Sequence, residues 1–489
     1  MRLKKLISNL DYRRLENVSD CEIKGVSPDS NCIRPGYLFV AIKGERVDGH
    51  SFINQAIDKG ARAVIMEKGR GLPLKNKVAK ILVRDSRASL ASVCASFFGH
   101  PAKNLRVIGI TGTNGKTTVS YLIEKILACA GHACGVIGTV NYRVGGRTYP
   151  APNTTPRADT LQSLLQEIVL AKSKYAIIEV SSHALAQGRV EAIDFSSAIF
   201  TNLSREHLDY HGNLADYFSC KASLFEKLDA AAFAIVNTDD PYGRKLAKKV
   251  RSRLLTFGIE HPARIRAKNL TLGMKGTRFT AVTPRGSIEV ESPLIGRHNV
   301  YNILAAISAA FVENIDFSRI ASGLRSLATV CGRLERIDCG QEFLVFVDYA
   351  HTQDALAKIL KTLRQISKNR IILVFGCGGD RDKAKRPAMG KVAAKFADLA
   401  IITCDNPRTE EPRQIVSDIL QGIGKKTDNY KVVLDRFQAI QEALSLARRK
   451  DIVVIAGKGH ESSQVFADKA IPFNDRKAVE KILKNHLTI

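Results

Sequence analysis

The sequence predicts an α/β protein with mostly parallel sheets, divided among three domains. Its length of 489 residues favours this number, because domains usually contain about 100 to 200 residues. Short β-branched runs alternate with segments whose apolar residues recur at helical spacing, which is typical of strand–helix–strand units. Polar clusters follow these runs directly, at the strand ends where open α/β sheets bind ligands. We expect the domains to cover residues 1–100, 101–330 and 331–489.

Strand candidates occur in all three blocks. The first block contains 37–41 and 63–66 and ends near Pro101. From Leu105 the chain repeats the order strand, loop, helix, and a polar stretch around Gly332 separates the second block from the third. The later candidates are 107–110, 175–180, 197–202, 233–237, 344–348, 371–375, 399–403 and 452–456. This order predicts a parallel sheet covered by helices in each of the last two blocks.

The composition limits the class of protein. The formal net charge is +26, but Lys and Arg are dispersed in short groups without interleaved aromatic residues, which favours a solvated surface over a nucleic-acid-binding face. Ten cysteines without a C-x-x-C pair argue against a disulfide framework or a zinc site. No apolar run approaches the roughly 20 residues that span a bilayer. We therefore expect a cytoplasmic protein without stable membrane insertion.

A glycine-rich segment at 112–118 lies between a strand-like run and a helical one. In such a turn, backbone N–H groups and the helix dipole face an anion, Lys116 can reach phosphates, and a hydroxyl such as that of Thr117 can bind Mg²⁺. The motif is shorter than the general P-loop, because Ile110 stands where its first glycine belongs. We predict that ATP or GTP binds to Gly112, Thr113, Asn114, Gly115, Lys116, Thr117 and Thr118.

Further polar motifs follow the other strand-like runs in order along the chain. They are N-T-T-P at 153–156, E-V-S-S-H-A-L at 179–185, Q-G-R-V at 187–190, T-N-L-S-R-E-H-L-D-Y-H-G at 201–212, G-R-H-N-V-Y-N at 296–302, G-R-L-E at 332–335, D-Y-A-H-T at 348–352, G-C-G-G-D-R-D at 376–382 and D-N-P-R at 405–408. Together with the glycine-rich segment, this series resembles the Mur ligases of bacterial cell-wall synthesis over essentially the whole chain.

The resemblance implies a fold and a reaction. It implies an N-terminal α/β domain for a uridine nucleotide, a central P-loop-type ATPase domain with a mostly parallel sheet, and a C-terminal Rossmann-like domain for the incoming amino acid. The implied enzyme is an ADP-forming acid–amino-acid ligase of peptidoglycan precursor synthesis. It would add meso-diaminopimelate to the D-glutamate carboxylate of UDP-N-acetylmuramoyl-L-alanyl-D-glutamate through an acyl phosphate.

The resemblance also implies which residues handle ATP and metal. Two Mg²⁺ ions are expected, and Lys221 is expected to carry a carbamate formed with CO₂, which turns an ammonium into a carboxylate. The implied catalytic residues are Lys116, Glu179, His207 and Lys221, and the implied metal ligands are Thr117, Glu179, His207 and the Lys221 carbamate. Further ATP contacts are implied for Asn299, Arg333, Asp348 and His351.

Substrate contacts follow from the resemblance in the same way. The uridine substrate is assigned to Ser30, Asn153, Thr154, Thr155, Ser181, Gln187 and Arg189, with the loop 45–47 as a weaker candidate. The amino acid is assigned to Arg381, Asp405, Asn406, Pro407, Arg408, Gly457 and Glu461. Diaminopimelate has a second amino acid head group, which an arginine and ammonium acceptors suit, so Arg408 favours it over lysine. The two sets of strand ends are expected to face each other across a cleft.

Two departures from the family pattern and three alternatives remain. Gln353 stands where the family usually has proline, and His298 where it usually has phenylalanine. The lysine-adding form of the same ligase would differ only in its amino acid. Folylpolyglutamate synthetase shares the second and third blocks, and a nucleic-acid-stimulated ATPase would account for the charge. We expect small-molecule substrates, no nucleic acid, and a monomer.

Overall fold

The computed structural model describes residues 1–44, 47–67, 78–424 and 429–487. Its contacts divide the chain into two compact units. The first comprises Met1–Leu203, Ala215–Phe257 and Ala305–Asp316, and the second comprises Ser204–Leu214, Gly258–Leu304 and the chain from Phe317 onward. Across the ranges described, no helix is both long enough and apolar enough to cross a membrane.

The first unit begins with a five-stranded sheet in the order β1-β5-β4-β3-β2. Four strands are parallel, and β1 pairs antiparallel with β5 at the edge. Apolar side chains alternate between two helix-covered cores, as expected for a buried parallel sheet. The strands are β1 Tyr12–Glu16, β2 Gly25–Ser27, β3 Tyr37–Val40, β4 Ala63–Met66 and β5 Ala79–Val83. The helices are α1 Leu3–Leu6, α2 Ile53–Asp58 and α3 Ser86–Phe97, with 3₁₀ turns at Gly49–Phe52 and Pro101–Asn104.

A larger sheet of the first unit has the order β13-β12-β11-β6-β10-β7-β8-β9. The strands from β13 to β7 are parallel, and β8 and β9 extend the edge as an antiparallel hairpin. The strands are β6 Arg106–Thr111, β7 Cys134–Ile137, β8 Asn141–Val144, β9 Arg147–Pro150, β10 Tyr175–Glu179, β11 Ser197–Phe200, β12 Phe233–Asn237 and β13 Arg253–Gly258. The helices of this stretch are α4 Lys116–Cys129, α5 Ala158–Leu170, α6 Ser182–Ala186, α8 Leu214–Glu226 and α9 Pro241–Ala247, and the short helix α7 Leu208–His211 between them in sequence belongs to the second unit.

Three long antiparallel strands in the second unit are absent from the sequence-based expectation. They are β14 Ile265–Gly273, β15 Gly276–Thr283 and β16 Gly286–Ser292, and α10 Arg297–Val312 and α11 Phe317–Ser326 follow them. Tight turns at Gly276 and Gly286 join the strands, and both glycines have positive φ. The turn sequences Met-Lys-Gly and Pro-Arg-Gly were visible signals of these hairpins.

The rest of the second unit is a six-stranded sheet in the order β17-β18-β22-β19-β20-β21. All pairs are parallel except β17 with β18. Leu373 and Phe375 face one buried core while Ile372 and Val374 face another, so helices cover both faces. The strands are β17 Glu335–Ile337, β18 Leu344–Asp348, β19 Ile371–Phe375, β20 Leu399–Ile402, β21 Tyr430–Val432 and β22 Ile452–Ala456, followed by the hairpin β23 Ser463–Val465 and β24 Ala470–Pro472. The helices are α12 Gln353–Ile366, α13 Lys385–Phe396, α14 Pro412–Ile423, α15 Arg436–Ser445 and α16 Asp475–Leu487.

The predicted α/β class with parallel sheets is confirmed. Every strand candidate of the sequence becomes a strand within two residues of its expected ends. The domain boundaries at 100 and 330 stay predictions.

Candidate functional site

The glycine-rich segment forms a strand-to-helix turn between β6 and α4. Gly115 precedes the first residue of α4 with φ 92°, and no side chain caps this helix, so its first N–H groups face outward. Gly112 has φ 140°, and a Cβ there would lie 2.0 Å from Thr201 Oγ1. Only glycine fits that position, because both the backbone conformation and the space exclude a side chain. The turn therefore has the form of an anion cradle.

Two residues after β11 hold this turn in place. The backbone N–H of Thr113 donates to the Asn202 carbonyl at 2.8 Å, and that of Asn114 donates to Asn202 Oδ1 at 3.1 Å. The Asn114 carbonyl accepts in return from Thr201 Oγ1 at 2.6 Å and from Asn202 Nδ2 at 3.0 Å. Sequence reasoning gave Thr201 and Asn202 no role, although their place at the end of a strand could have suggested one.

Two lysine ammonium groups share one acceptor in the turn. Lys116 Nζ donates to the Gly112 carbonyl at 2.8 Å and to the Thr113 carbonyl at 2.9 Å. Lys221, on α8 and almost fully buried, donates to the same Gly112 oxygen at 3.0 Å. Its ammonium also lies 4.5 Å from the centre of the Tyr217 ring. Two like charges on one carbonyl oxygen repel each other and together form a strongly positive site.

Glu179 forms the centre of an oxygen-rich cluster at the end of β10. Its Oε2 accepts from Thr117 Oγ1 at 2.9 Å and from Thr139 Oγ1 at 2.8 Å, and its Oε1 accepts from the Thr139 N–H at 3.1 Å. The carboxylate is buried, and a Cβ at Gly138 would approach its Oε1 to 2.2 Å. One carboxylate among hydroxyl groups is a donor set that suits a hard cation such as Mg²⁺. The predicted ligands Thr117 and Glu179 are therefore in contact, and Thr139 is a neighbour that sequence reasoning missed.

The other two predicted metal ligands, His207 and Lys221, are not among the residues that hydrogen-bond to the Glu179 carboxylate. His207 belongs to the second unit, where it precedes α7 with φ 55°. No group of three or more His, Cys, Asp or Glu residues suited to a metal ion occurs in the part of the chain that the structure describes. The assignments of His207 and of the Lys221 carbamate stay predictions.

The residues predicted to hold the uridine substrate fall into two groups within the first unit. Thr155 Oγ1 donates to the Glu179 carbonyl at 2.7 Å and accepts from the Ser181 N–H at 3.0 Å. Arg189 donates to Gln187 Oε1 through Nε at 3.0 Å, which fixes both side chains. Asn153, Thr154, Thr155, Ser181, Gln187 and Arg189 thus surround the end of β10, where Thr154 also contacts Thr139.

Ser30 is not part of that group, because its side chain hydrogen-bonds to a residue of α2, a helix packed on the first, five-stranded sheet. Its hydroxyl donates to Gln55 Oε1 at 3.0 Å. A cavity of about 500 Å³ is lined by Gln187 and by side chains of both charges, among them Lys43, Arg84 and Glu191. In the weaker candidate loop, Glu45 and Arg46 lie outside the described residues.

Of the residues predicted to contact ATP from the second unit, Asn299 and Asp348 are buried, and Arg333 and His351 are half-buried. Asp348 accepts from the N–H groups of Leu334 at 2.6 Å and Ala350 at 2.7 Å. Burial raises the pKa of Asp348 to about 6, although nearby Arg333 and these two N–H groups oppose the rise. The Arg333 guanidinium lies 4.9 Å from the centre of the Tyr349 ring. A half-buried cation thus acts electrostatically on a buried carboxylate at the end of β18.

Two further residues of this set have defined donor and acceptor roles. Burial lowers the pKa of His351, and its Nδ1 lies 2.8 Å from the Tyr349 carbonyl. A neutral imidazole in that position carries its proton on Nδ1 and presents Nε2 as an acceptor. Asn299 Nδ2 donates to the Ile295 carbonyl at 2.9 Å, which orients its amide.

The predicted amino-acid residues converge at the ends of β20 and β22. Asn406 Nδ2 donates to Glu461 Oε2 at 2.9 Å, and the Arg408 guanidinium donates to the Gly379 carbonyl at 2.7 Å. Gly457 has φ 118°, and a Cβ there would lie 2.6 Å from Asp405 Oδ2. Pro407 is buried between them, whereas Arg381 is exposed. The carboxylates, the amide and the arginine needed for an amino acid head group are thus assembled in one place.

A buried arginine that the sequence reasoning missed joins the two loops of this site. Arg386 has a fully buried side chain that donates to both oxygens of Glu410 and to Asp418. These hydrogen bonds hold the pKa of Glu410 down to about 2. Glu410 in turn accepts from the Asp380 N–H at 2.6 Å. The loop that carries Arg381 is therefore tied to the loop that carries Arg408.

The parallel sheets and the strand-to-helix anion cradle define a nucleotide-binding α/β protein. Comparison with known proteins gives the family. Residues 22–109 match the model of the Mur ligase family catalytic domain, 110–310 the Mur ligase middle domain, and 332–459 the Mur ligase glutamate ligase domain. The chain belongs to the Mur ligase family.

Named relatives cover nearly the whole chain. A UDP-N-acetylmuramoyl-L-alanyl-D-glutamate–2,6-diaminopimelate ligase of Solibacter usitatus is 43% identical, with 99% of each chain covered. The corresponding enzyme of Geobacillus thermodenitrificans is 40% identical, also with 99% of each chain covered. A solved structure of a ligase of the same name has 36% identity and a TM-score of 0.68, and the match covers 95% of each chain. The resemblance seen in the sequence is confirmed.

Proposed function

We propose that this chain is the ligase that adds meso-diaminopimelate to UDP-N-acetylmuramoyl-L-alanyl-D-glutamate with ATP. The observation that carries the proposal is the identity of about 40% along the whole chain to ligases with this name. Folylpolyglutamate synthetase is not favoured, because it does not account for these relatives. Residues 1–100 are assigned to the uridine nucleotide, 101–330 to ATP and 331–489 to the amino acid.

Carboxylate activation is assigned to the first unit. ATP transfers its γ-phosphoryl group to the D-glutamate carboxylate, and ADP leaves. The ammonium of Lys116 and the N–H groups at the start of α4 stabilise the negative charge that develops on the phosphates. The Glu179 cluster, with Thr117, would hold Mg²⁺, which when bound neutralises phosphate charge. We propose two Mg²⁺ ions, with His207 and a Lys221 carbamate as further ligands.

The substrate carboxylate is assigned to the group around the end of β10. Arg189 supplies a guanidinium that suits an anionic peptide, and Thr155 and Ser181 supply hydroxyl groups for its amides. Ser30 is assigned to the uridine end. Asn299, Arg333, Asp348 and His351 are assigned to the nucleotide from the second unit.

Amine supply is assigned to the site at the ends of β20 and β22. The amine of the amino acid attacks the acyl carbon, a tetrahedral intermediate forms, and phosphate leaves as the amide bond is made. Diaminopimelate carries a second ammonium and a second carboxylate beyond the reacting end. Glu461 offers carboxylate oxygens to that ammonium, Asn406 braces Glu461 by donating to it through Nδ2, and Arg408 offers two N–H groups to that carboxylate.

The test of this function is product analysis with both amino acids. The purified chain is incubated with ATP, Mg²⁺, the UDP-muramoyl dipeptide, and either meso-diaminopimelate or L-lysine, and the products are identified by mass. We expect ADP, phosphate and the diaminopimelate tripeptide. A lysine product formed at a comparable rate would favour the lysine-adding form. ATP turnover that depends on DNA or RNA would favour the nucleic-acid-stimulated ATPase.

Arg408→Ala should raise KM for diaminopimelate by about 10- to 100-fold, the effect of losing a charged hydrogen bond. KM for ATP should stay unchanged, because Arg408 is assigned to the amino acid alone. Arg413→Ala, an exposed arginine on α14, is the matched control. Steady-state kinetics with each substrate varied in turn measures both values. An unchanged KM for diaminopimelate would remove Arg408 from the site.

A further inference from the structure

Lys458 is a fully buried lysine that the reaction above does not use. It follows β22 between two glycines of positive φ, Gly457 and Gly459. A Cβ at Gly459 would lie 2.8 Å from the Tyr349 backbone nitrogen, so the chain here packs tightly against its neighbours. Burial of an ammonium is far more costly than burial of an apolar side chain of the same length. The position of Lys458 therefore needs an explanation in terms of its partners.

Within the described residues, the partners of its ammonium belong to the amino-acid site. Lys458 Nζ donates to Asn406 Oδ1 at 2.9 Å and to Glu461 Oε2 at 2.8 Å. Asp405 Oδ1 lies 3.9 Å away. Asn406 Nδ2 completes a triangle by donating to the same Glu461 oxygen. One buried cation thus contacts three neighbouring residues assigned to the incoming amino acid.

This arrangement allows only one orientation of the Asn406 amide. Its Oδ1 accepts from the Lys458 ammonium and from the Val465 N–H at 3.0 Å. An ammonium has only donors, so a flipped amide would place its NH₂ against two donors. Lys458 thereby directs Nδ2 toward Glu461.

Lys458 also holds the Glu461 carboxylate in place and contributes to the net charge of the site. Glu461 is held from inside at Oε2, while about a third of its side chain (32%) is exposed. Among the groups that contact one another around Lys458, the carboxylates of Asp405 and Glu461 and the ammonium leave one net negative charge, and Arg408 of the same site is assigned to the substrate carboxylate. Arg436 lies nearby, but it is paired with Asp475. A single net negative charge suits one substrate ammonium, whereas two uncompensated carboxylates would repel each other.

We propose that Lys458 is a positioning residue of the amino-acid site: together with the Asn406 amide, which it orients, it holds the Glu461 carboxylate so that this carboxylate binds the second ammonium of the incoming amino acid. The proposal rests on the proposed function, because that function identifies the amino acid. Lys458 does not touch the substrate and acts through its two partners.

The test separates KM for the amino acid from the other kinetic constants. Lys458→Met keeps the length of the side chain and removes its charge. We expect KM for diaminopimelate to rise about 10- to 100-fold, as for the loss of a charged hydrogen bond, with KM for ATP within about twofold of wild type. Lys431→Met is the matched control, because it removes an exposed lysine on β21 of the same sheet that pairs with Glu442 on α15. A diaminopimelate KM within twofold of wild type, or an equal rise in every KM, would overturn the proposal.

A double-mutant cycle tests whether Lys458 acts through Glu461. Glu461→Gln should raise KM for diaminopimelate strongly in wild type and by less than about threefold in the Lys458→Met background, since coupled residues are not additive. Additive effects would overturn the proposal. Lys458→Gln serves as a second variant if the methionine variant does not fold, because its amide still donates a hydrogen bond. We expect it to have an intermediate KM, and a wild-type KM would overturn the proposal.

Urea unfolding of the same four proteins distinguishes this proposal from the proposed function. If wild type makes no diaminopimelate product, the proposed function fails. Unfolding still measures the interaction between Lys458 and Glu461, because it does not depend on a substrate. Lys458→Met should lower the unfolding midpoint more in wild type than in the Glu461→Gln background, because in wild type it leaves the carboxylates of both Asp405 and Glu461 without their cation, and in the Glu461→Gln background only that of Asp405. Equal effects in the two backgrounds would contradict the pairing.

Discussion

Glu179→Gln should reduce the rate of ADP formation by about two to three orders of magnitude, the usual effect of removing one preorganised electrostatic group. Glu179 brings a full negative charge to the Thr117 and Thr139 hydroxyls, and the neutral oxygen of a carboxamide is a weaker ligand for Mg²⁺ than a carboxylate. The fold should survive the change. Glutamine can present its oxygen to the Thr139 N–H and its NH₂ to the two hydroxyls, which can accept as well as donate.

The measurement is ADP release as a function of Mg²⁺ concentration. We expect both a lower maximal rate and a higher Mg²⁺ requirement in the variant. Glu124→Gln is the matched control, because Glu124 is a carboxylate on α4 that pairs with Arg143 away from the cradle. If Glu179→Gln kept the wild-type rate and Mg²⁺ requirement, Glu179 could not be a metal ligand.

Lys221→Ala should also lower activity by about two to three orders of magnitude, and small carboxylates such as acetate should restore part of it. The ammonium of Lys221 shares the Gly112 carbonyl with that of Lys116. Reaction of its amine with CO₂ forms an N–C bond, releases a proton and leaves a carboxylate. That change replaces a repulsion by an attraction to Lys116, and it adds a negative oxygen donor for Mg²⁺.

Lys116→Ala is the matched control for this rescue. It removes the other ammonium on the same carbonyl oxygen, so its activity should fall, but acetate should not restore it. Sodium chloride at equal ionic strength controls for salt. A carbonyl ¹³C signal from labelled bicarbonate in wild type, absent in Lys221→Ala, would support the carbamate directly. Absence of both the signal and the rescue would leave Lys221 as an ammonium.

Local sequence patterns located many of the parallel strands, but β2, β5, β7, β13 and β21 had no candidate in the sequence. Strands such as β19 are runs of five apolar residues buried on both faces, so neither their type nor their limits depended on distant contacts. The antiparallel strands β14 to β16 were missed because their exposed and buried residues alternate, with charged side chains on the solvent side. A segment in which apolar and charged residues are mixed resembles a loop in the sequence, unless the glycines of the two turns are used to identify the hairpins.

The candidate site was predictable where a motif places chemistry at a strand end. Glu179 with Thr117, and Asn406 with Glu461, were chosen from the sequence, and each pair is in contact. The residues that orient them were not found. Asn202 and Lys458 act through partners 88 and 52 residues away. Nothing local in a sequence distinguishes such a lysine from the many solvated ones.

The two carbonyl oxygens that hold Lys116 have a consequence for nucleotide selection. The Lys116 ammonium is already hydrogen-bonded to the Gly112 and Thr113 carbonyls, and it must break these bonds to contact a phosphate. Phosphate binding therefore replaces one set of hydrogen bonds by another, and the net gain in binding free energy is modest. A nucleotide with only an α-phosphate offers little in return for those bonds. One that brings β- and γ-phosphates offers more negative charge than the carbonyls do. We therefore expect the turn to bind a nucleotide with β- and γ-phosphates in preference to AMP without any contact to the base, because only the longer phosphate chain compensates for the hydrogen bonds that Lys116 gives up.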